Sequence, residues 1–232
     1  MYKFLTKAFS LTTCFFLKKT KLIRSFSQEG EDLIIQRILK ENNIKFRDLF
    51  YFDIGAGHPV KYSNTFYFYI NGSKGISIDA FEKNINLHKF FRPKDITLNL
   101  LVGGNSESVN YYMFKEPELN TTSLNRVKLL KNKKINYYKV KKIRQETIST
   151  IFQRFTKKEI EKINFFNIDI EGAESNIIKQ INWKIFQPKI ICVEIISKNF
   201  KEIYKDKTYQ ILEENGYVLY SKLINSVIFL KS

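Results

Sequence analysis

The segment that most constrains the fold of this chain is FYFDIGAGHP at residues 50–59, where an apolar run ends in Asp53 and a glycine-rich turn follows at once. A second apolar stretch, at residues 75–81, carries Asp79, which lies 22 residues beyond Gly57. The order strand, glycine turn, helix, strand and acid is typical of a nucleotide-binding α/β half. The spacing therefore predicts an enzyme with a cofactor site at these strand ends.

The length of 232 residues suits one well-packed domain. We expect a basic amphipathic leader over residues 1–24 and a single domain over residues 25–232. The two cysteines, Cys14 and Cys192, are too far apart to form a disulfide framework or a metal cluster. A reducing compartment such as the cytoplasm is therefore the simpler expectation.

The formal net charge is +16, from 39 Lys and Arg residues against 23 Asp and Glu residues. This charge would suit an acidic partner, such as nucleic acid, a membrane surface or a phosphorylated glycan. A compositional bias toward Lys, Ile and Asn is the simpler explanation, because lysines are spread widely and no Arg-rich stripe with interleaved aromatic residues is present. We therefore do not expect a nucleic-acid partner.

The leader carries six basic residues and no acid around a ten-residue apolar stretch at residues 8–17. That stretch is too short to span a bilayer, which needs about 20 residues. Lysines stand where a signal peptide would have a small-residue cleavage site. We expect a basic helix that lies on the core or on an anionic membrane, in a protein that is cytoplasmic or peripheral to the inner face of the membrane.

The rest of the chain alternates predicted strands and helices. Helices are predicted over residues 27–40, with Ser27 as N-cap, and over residues 64–71, 83–91 and 208–215. Strands are predicted over residues 49–54, 76–78, 96–102, 108–114, 163–170 and 189–195, with a closing antiparallel hairpin over residues 217–220 and 226–230. Residues 116–134 are predicted to form a loop or an excursion, and Thr147 is predicted to cap a short helix. The fold class is α/β, with a ligand site beyond the carboxyl ends of the strands.

Two cofactors compete for the glycine turn. A dinucleotide fingerprint needs a third glycine, but Val60 stands at that position. S-adenosylmethionine has an ammonium group, which suits the Asp53 carboxylate, and ribose hydroxyls, which suit Asp79. The residues therefore favour a methyl donor over NAD, although Asp53 could instead be a simple turn residue.

The residues around the two acids complete the predicted cofactor site. Gly55, Ala56 and Gly57 would let the ligand approach the backbone closely. Ala80 and Phe81 directly follow Asp79, and Phe81 is placed to touch an adenine ring.

A third cluster, DIEGAE, occupies residues 169–174. Alternation at a strand end puts Asp169 and Glu171 on one side, where they could orient an acceptor hydroxyl, accept its proton or hold a divalent cation. No metal is predicted, because the other obvious oxygen donor is only Glu194 on the next strand. Glu174 falls in a first helical turn, where the helix dipole favours an acid without any catalytic role.

The two histidines have different expectations. His58 is a candidate general base at neutral pH, and it could equally hydrogen-bond its own tight turn in place. His88 is expected at the surface of a Lys-rich helix.

Taken together, the separated motifs resemble those of FkbM-type methyltransferases. They are SQEGED at 27–32, FDIGAGHP at 52–59, SNT at 63–65, GISID at 75–79, RPKDI at 92–96, IDIEGAE at 168–174 and PKIICVE at 188–194. The resemblance implies a Rossmann-like class I methyltransferase fold, with a mostly parallel seven-stranded sheet and a C-terminal antiparallel hairpin. It also implies methyl transfer from S-adenosylmethionine to a hydroxyl of a sugar, glycan or secondary metabolite, as in polysaccharide biosynthesis.

By position, the resemblance implies that Asp53, Gly55 and Gly57 line the methionine moiety of the cofactor and that Asp79 holds its ribose. Asn64, with Gln28 and Glu31 from the preceding helix, would close the pocket. Residues 103–106 offer no acid for the adenine amino group, so backbone groups there or Asn105 would take its place.

Two alternative functions remain open. An RNA methyltransferase would suit the charge, but no Asn-Pro-Pro-Tyr-like motif follows the fourth strand. A non-catalytic S-adenosylmethionine-binding protein would be expected to lose the glycine turn or the acids, and both are present.

Overall fold

The structure is a computed structural model that describes residues 24–105, 107–197 and 199–232. The predicted leader therefore lies outside the described residues, apart from Arg24. Within the described ranges, no helix has the length and apolar character needed to cross a membrane.

Ten strands form the sheets of the described residues. In chain order they are β1 (Phe50–Ile54), β2 (Lys74–Asp79), β3 (Ile96–Asn99), β4 (Leu101–Val102), β5 (Ser108–Met113), β6 (Lys139–Glu146), β7 (Phe165–Ile168), β8 (Ile190–Glu194), β9 (Tyr217–Lys222) and β10 (Ser226–Lys231). Seven of them make a central sheet in the order β3-β2-β1-β7-β8-β10-β9. The pairs from β3 through β8 are parallel, whereas β10 is antiparallel to both β8 and β9. The predicted mostly parallel sheet with a closing antiparallel hairpin is confirmed.

The connections between these strands are mainly helical. In chain order the helices are α1 (Glu31–Glu41), α2 (Phe66–Ile70), α3 (Glu82–Phe91), α4 (Leu124–Asn132), α5 (Ile148–Phe152), α6 (Lys157–Glu161), α7 (Glu174–Ile178), α8 (Phe200–Ile203) and α9 (Lys207–Glu214). Thr147 caps α5, as predicted, by accepting the backbone N–H of Thr150. Ser27 is not the N-cap of α1, because the helix begins after Gly30. Its hydroxyl still binds the first turn, where it donates to the Asp32 carboxylate and accepts the backbone N–H of Asp32 at 3.3 Å.

The central sheet is buried on both faces because its inner strands are continuous apolar runs. All four residues of β7 are buried, and so are four of the five residues of β1. One cluster of buried residues includes Phe52 and Phe166, and another includes Tyr51 and Phe165. Because neighbouring residues of a strand point to opposite faces, the two clusters cover the two sides of the sheet.

The predicted third strand over residues 96–102 is in fact two strands. Residues of β3 pair with β2 in the central sheet, whereas β4 pairs with β6 in a smaller sheet of order β4-β6-β5. The chain leaves the central sheet at Leu100, between them.

Two strands of the smaller sheet belong to an excursion, residues 108–146, that runs from β5 through α4 to β6. The prediction of a loop or an excursion over residues 116–134 missed the helix in its second half, where Ser123 caps α4. Apolar periodicity in this stretch is hidden among polar residues, but Val127 and Leu130 pack on Phe114 in a small core of their own.

Candidate active site

The glycine turn follows β1 and is fixed to the end of β2. The backbone N–H groups of Gly55 and Ala56 both donate to the carbonyl of Ile78, at 2.9 and 3.0 Å. Gly55 has a φ of +77°, and a Cβ at this position would lie 1.7 Å from the carbonyl oxygen of Asp169. The turn therefore needs glycine there, both for the positive φ and for the close approach of the chain that follows β7.

Asp79 lies at the carboxyl end of β2 and binds the turn directly. Its carboxylate accepts the backbone N–H of Gly57 at 2.8 Å and that of Phe81 at 2.6 Å. The Asn84 amide also donates to it, at 3.3 Å. Burial raises the pKa of Asp79 to about 6, although these hydrogen bonds favour the charged form and oppose the shift. Asp79 also lines the main cavity, where the predicted contact with a ribose would be made.

Asp53 lies beneath the turn rather than in the cavity. Its carboxylate accepts the Thr65 hydroxyl at 2.6 Å and the Asn167 amide at 2.8 Å, and its side chain is buried. Burial raises its pKa, which the nearby Arg92 charge opposes. The geometry thus does not favour the expected direct contact with an ammonium group, because neighbouring side chains occupy the carboxylate and it does not line the cavity.

Asp53 is part of a buried polar network anchored by Arg92. The fully buried guanidinium pairs with Asp95 at 2.8 Å and donates to Tyr51 Oη at 2.7 Å and to Thr65 Oγ1 at 3.0 Å. Thr65 in turn donates to Asp53. This buried charge and its hydrogen-bond partners tie β1, the loop before α2 and the end of α3 together.

The two histidines hold the turn from either side. His58 Nδ1 accepts the backbone N–H groups of Val60 and Lys61, both at 3.1 Å, which places the proton of its neutral ring on Nε2. In that state no ring lone pair remains for proton abstraction, so the geometry favours the loop-holding role of His58 over a general base. Burial lowers its pKa as well.

His88 does not lie at the surface, contrary to expectation. It is fully buried, and its Nε2 donates to the carbonyl of Gly57 at 3.2 Å. Burial and the Arg92 charge lower its pKa to about 3. It is therefore a neutral donor near neutral pH.

The main cavity opens beyond the carboxyl ends of β1 and β2 and has a volume of about 440 Å³. The glycine turn and Asp79 line one side. The apolar part of the lining consists of Ile78, Phe81, Leu87, Leu100, Leu101 and Val102. The excursion contributes Tyr111 and residues 120–122. This volume lies in the range of ligand sites for nucleoside-sized molecules.

A second cavity of about 340 Å³ adjoins the first, and Gln28, Asp169 and Glu171 line both. Most of its charged groups are acids: Glu29, Glu31, Glu116, Glu118, Asp169, Glu171 and Glu194. Lys61 and Arg126 are its basic residues, and each is paired, with Glu118 and Glu171 respectively.

Three carboxylates meet where the cavities join. An oxygen of each of Asp169, Glu174 and Glu194 lies within 4.8 Å of the others. Glu174 already accepts the backbone N–H groups of Ile170 and Gly172, so its role in the structure is to hold the DIEGAE turn. Asp169 is exposed to the cavity but enclosed by protein atoms, and this loss of water and the Glu194 charge raise its pKa well above the ordinary value.

Glu171 and Glu194 have raised pKa values too, each about 8, with burial as the main cause and like charges as the next. Glu171 has a φ of +58° and forms an ion pair with Arg126 from α4. Asp169 and Glu171 do lie together, as predicted, and carboxylates with raised pKa values are suited to accept a proton near neutral pH.

A family model for the methyltransferase FkbM domain matches residues 53–219. The chain belongs to the FkbM methyltransferase family. It is therefore a methyltransferase, and the matched residues extend from the glycine turn to the closing hairpin.

Other comparisons add little to this FkbM assignment. A TehB-like SAM-dependent methyltransferase from Corynebacterium glutamicum is similar over 98% of this chain and 99% of its own, with 11% sequence identity and a TM-score of 0.39. A likeness at that level supports no inference about function. A search of curated proteins gives no match.

The predicted cofactor residues of this FkbM chain separate into three groups. Gln28, Gly55, Ala56, Gly57, Asp79, Ala80 and Phe81 line the main cavity. Asn64 and Glu31 line only the second cavity, where Asn64 donates to Asn167 and Glu31 accepts from Ser226. Asp53 lines neither.

Residue Asn105, the expected substitute for an adenine-binding acid, does not line the main cavity and instead hydrogen-bonds Glu107. Leu100, Leu101 and Val102 stand there because the chain leaves the central sheet at this point.

Several residues of this site were missed by the sequence reasoning. Asn84 and His88 on α3 bind Asp79 and Gly57, and residues 120–122 form part of the wall. The RPKDI motif was the available signal for the Arg92–Asp95 pair, but a motif alone does not show that both residues are buried.

Proposed function

We propose that this FkbM methyltransferase uses S-adenosylmethionine and methylates a hydroxyl of a sugar, a glycan or a secondary metabolite. The observation that carries the proposal is the pairing of two adjoining cavities at the carboxyl ends of β1 and β7, with raised-pKa carboxylates at their junction. One cavity suits the methyl donor and the other suits the acceptor.

The residues of the main cavity fit S-adenosylmethionine. Asp79 offers carboxylate oxygens for the ribose hydroxyls, the positive-φ glycine turn permits close approach, and Phe81 and Leu100 provide an apolar wall for adenine. When bound there, the cofactor supplies an electrophilic methyl group on its sulfonium.

The protein's own contribution is alignment and proton removal. Most of the acceleration would come from holding the acceptor oxygen in line with the methyl group. Asp169, which faces both cavities, would accept the proton from the acceptor hydroxyl. Glu171, held by Arg126, would orient that hydroxyl.

The charge of the second cavity favours an uncharged acceptor. The four acids other than Asp169, Glu171 and Glu194 still outnumber its two basic residues, so a phosphate or carboxylate group would be repelled. This lining argues against an RNA acceptor. It favours sugar hydroxyls, because carboxylates readily accept hydrogen bonds from hydroxyl groups. In the cytoplasm, which is the proposed location, the enzyme would have access to S-adenosylmethionine.

The cofactor assignment is tested by replacing Asp79 with Asn and measuring S-adenosylmethionine binding by calorimetry. We expect an affinity loss of about tenfold or more, as for a charged hydrogen-bond partner. Glu82→Gln is the matched control, because Glu82 is an exposed acid three residues away that does not line the cavity. Equal affinity in Asp79→Asn and the wild type would reject the assignment.

The acceptor class is tested by measuring S-adenosylhomocysteine formation with a panel of neutral glycans, sugar phosphates and RNA. We expect turnover with neutral hydroxyl acceptors. Turnover with RNA alone would favour the alternative function, and cofactor binding without turnover on any acceptor would favour a binding protein.

A further inference from the structure

The positive charge of this chain is concentrated in two segments. The excursion, residues 108–146, holds ten Lys and Arg residues against three acids, and residues 1–24 hold six against none. The other 169 residues hold 23 basic residues against 20 acids. The charge is therefore not a uniform bias of composition, contrary to the simpler explanation given above.

The basic side chains of the excursion are exposed. Nine of them lie at the surface, on α4, on β6 and in the segments beside them: Lys115, Lys128, Lys131, Lys133, Lys134, Lys139, Lys141, Lys142 and Arg144. Those on α4 and beside it lie on segments that share one small apolar core around Phe114, Val127 and Leu130, and those on β6 lie on a strand that pairs with β5 along its length. The excursion therefore presents its charge as one structural unit.

Exposed apolar side chains lie among these basic residues. Leu124 and Leu129 of α4 are 59% and 57% exposed, and Tyr138 and Val140 at the start of β6 are 58% and 40% exposed. Isolated exposed apolar residues are ordinary. Four of them within one basic unit combine apolar contact with positive charge, which are the two features that hold a protein at a lipid interface.

We propose that the excursion docks on an anionic membrane surface, with its lysines at the lipid headgroups and Leu124, Leu129 and Tyr138 inserted between them. Charge complementarity gives the attraction, and the apolar side chains give a contact that a purely polar partner cannot offer.

The composition of the excursion favours lipid over nucleic acid. Leu124, Leu129 and Val140 are exposed aliphatic side chains among its basic residues, and aliphatic side chains suit acyl chains, whereas single-stranded nucleic acids are bound by stacking on aromatic side chains. The leader adds six basic residues at a separate point of the sequence, and two weak contacts together hold a protein at a membrane better than one.

Docking of this unit would bring the active site to the membrane. Tyr111 and Thr121 of the excursion line the main cavity, and Glu116 and Leu119 line the second cavity. An acceptor carried on a lipid would therefore be met at the surface where the enzyme is held.

The experiment measures co-sedimentation of the full chain with vesicles of phosphatidylcholine, with and without phosphatidylglycerol. The test variant replaces Lys128, Lys133, Lys139 and Lys142 with Gln. The matched control replaces Lys74, Lys179, Lys184 and Lys205 with Gln, which are equally exposed but lie outside the excursion. Both variants keep residues 1–24, so a difference between them comes from the excursion.

A basic residue at an anionic surface contributes about fivefold to partitioning. We expect the test variant to bind phosphatidylglycerol vesicles more than tenfold more weakly than the control variant, and Leu124→Ser with Leu129→Ser to weaken binding at unchanged charge. Equal loss in both lysine variants would show a net-charge effect and overturn the proposal, as would wild-type binding by the test variant.

Two further readouts separate this proposal from its rivals. If the test variant lost binding to a homopolymeric RNA but kept vesicle binding, the surface would be assigned to nucleic acid and the membrane proposal would be overturned. S-adenosylmethionine affinity, measured by calorimetry, is expected to be the same in both lysine variants, so that failure of membrane docking is distinguishable from failure of the proposed function.

Discussion

The imidazole Nε2 of His88 donates to the carbonyl oxygen of Gly57 across 3.2 Å. The N–H of the same glycine donates to Asp79 at 2.8 Å. Gly57 has a φ of +56°, so its two peptide groups are held in a left-handed turn by side chains from β2 and α3. The buried His88 thus acts as a positioning residue for the glycine turn that lines the main cavity.

Replacement of His88 by Leu is expected to weaken S-adenosylmethionine binding. A buried carbonyl left without its donor costs about 1–3 kcal/mol, and Gly57 loses one of its two side-chain partners. We expect an affinity loss of about tenfold by calorimetry. His88→Gln, whose amide can donate in place of Nε2, should restore most of it, whereas equal loss in both variants would show that shape rather than the hydrogen bond matters.

The pH dependence of stability should also report on His88. Its pKa is about 3 in the fold against 6.5 for an ordinary histidine, so the unfolded chain binds the additional proton between these values. Stability from this residue is therefore complete above pH 6.5 and falls as the pH drops below it. In urea unfolding, the wild type should lose stability relative to His88→Gln between pH 6.5 and pH 4, and a constant difference would contradict the assignment.

Gly55→Ala and Gly57→Ala should differ although both glycines have positive φ. A Cβ at Gly55 would meet the Asp169 carbonyl at 1.7 Å, whereas at Gly57 the nearest atom would be 3.8 Å away. At Gly57 only the backbone strain of about 1–2 kcal/mol applies. We expect Gly55→Ala to be the more destabilised in thermal unfolding and to lose cofactor binding. Similar stabilities would show that the chain after β7 can shift to make room for the added methyl group.

The rate of methyl transfer should depend on Asp169 through its raised pKa. Because only the carboxylate form accepts a proton, kcat should rise with pH through that value. Glu194→Gln removes a like charge that raises the pKa of Asp169, so the rising limb should move to lower pH. The profile is measured with the best acceptor of the glycan panel, and an unmoved limb in Glu194→Gln would exclude Asp169 as the titrating base. Asp169→Asn should abolish the limb altogether.

Arg92→Met should destabilise the fold by about 3–5 kcal/mol, because it leaves the buried Asp95 carboxylate without its cation. Arg37→Met is the control, since Arg37 pairs with Glu41 at the exposed surface and its loss should leave urea unfolding unchanged. Equal effects of the two substitutions would show that the Arg92 network can be dispensed with.

Much of the fold could be predicted from the sequence because long apolar runs with turn residues determine buried strands. The residues of β1, β2 and β8 followed from that pattern, and so did the closing hairpin. The break at Leu100 could not be predicted, because residues 96–102 are one apolar run and only pairing with β6 divides them. Helix α4 was missed because its polar residues hide a stripe that packs only on Phe114.

Prediction of the site had a similar limit. Residues next to the strand ends, such as Asp79 and Phe81, were placed correctly because topology alone brings them to the cavity. The burial of Asp53 and His88 depends on Thr65, Asn167 and Gly57, which are distant in sequence or unremarkable in type. Composition likewise concealed the charge of the excursion, which becomes evident only when its exposed lysines are grouped by structural unit.

The departure of the chain from the central sheet at Leu100 divides the enzyme into two units that can vary separately. The glycine turn and Asp79 are fixed by the central sheet, where each change disturbs several strands. The excursion has its own small core and joins the rest of the molecule through the β4–β6 pairing, the Arg126–Glu171 ion pair and the hydrogen bond from the Thr121 hydroxyl to the carbonyl of Glu171. Exchange of that excursion would change part of the lining of both cavities together with the surface charge, while the glycine turn and Asp79 stay in place on the central sheet.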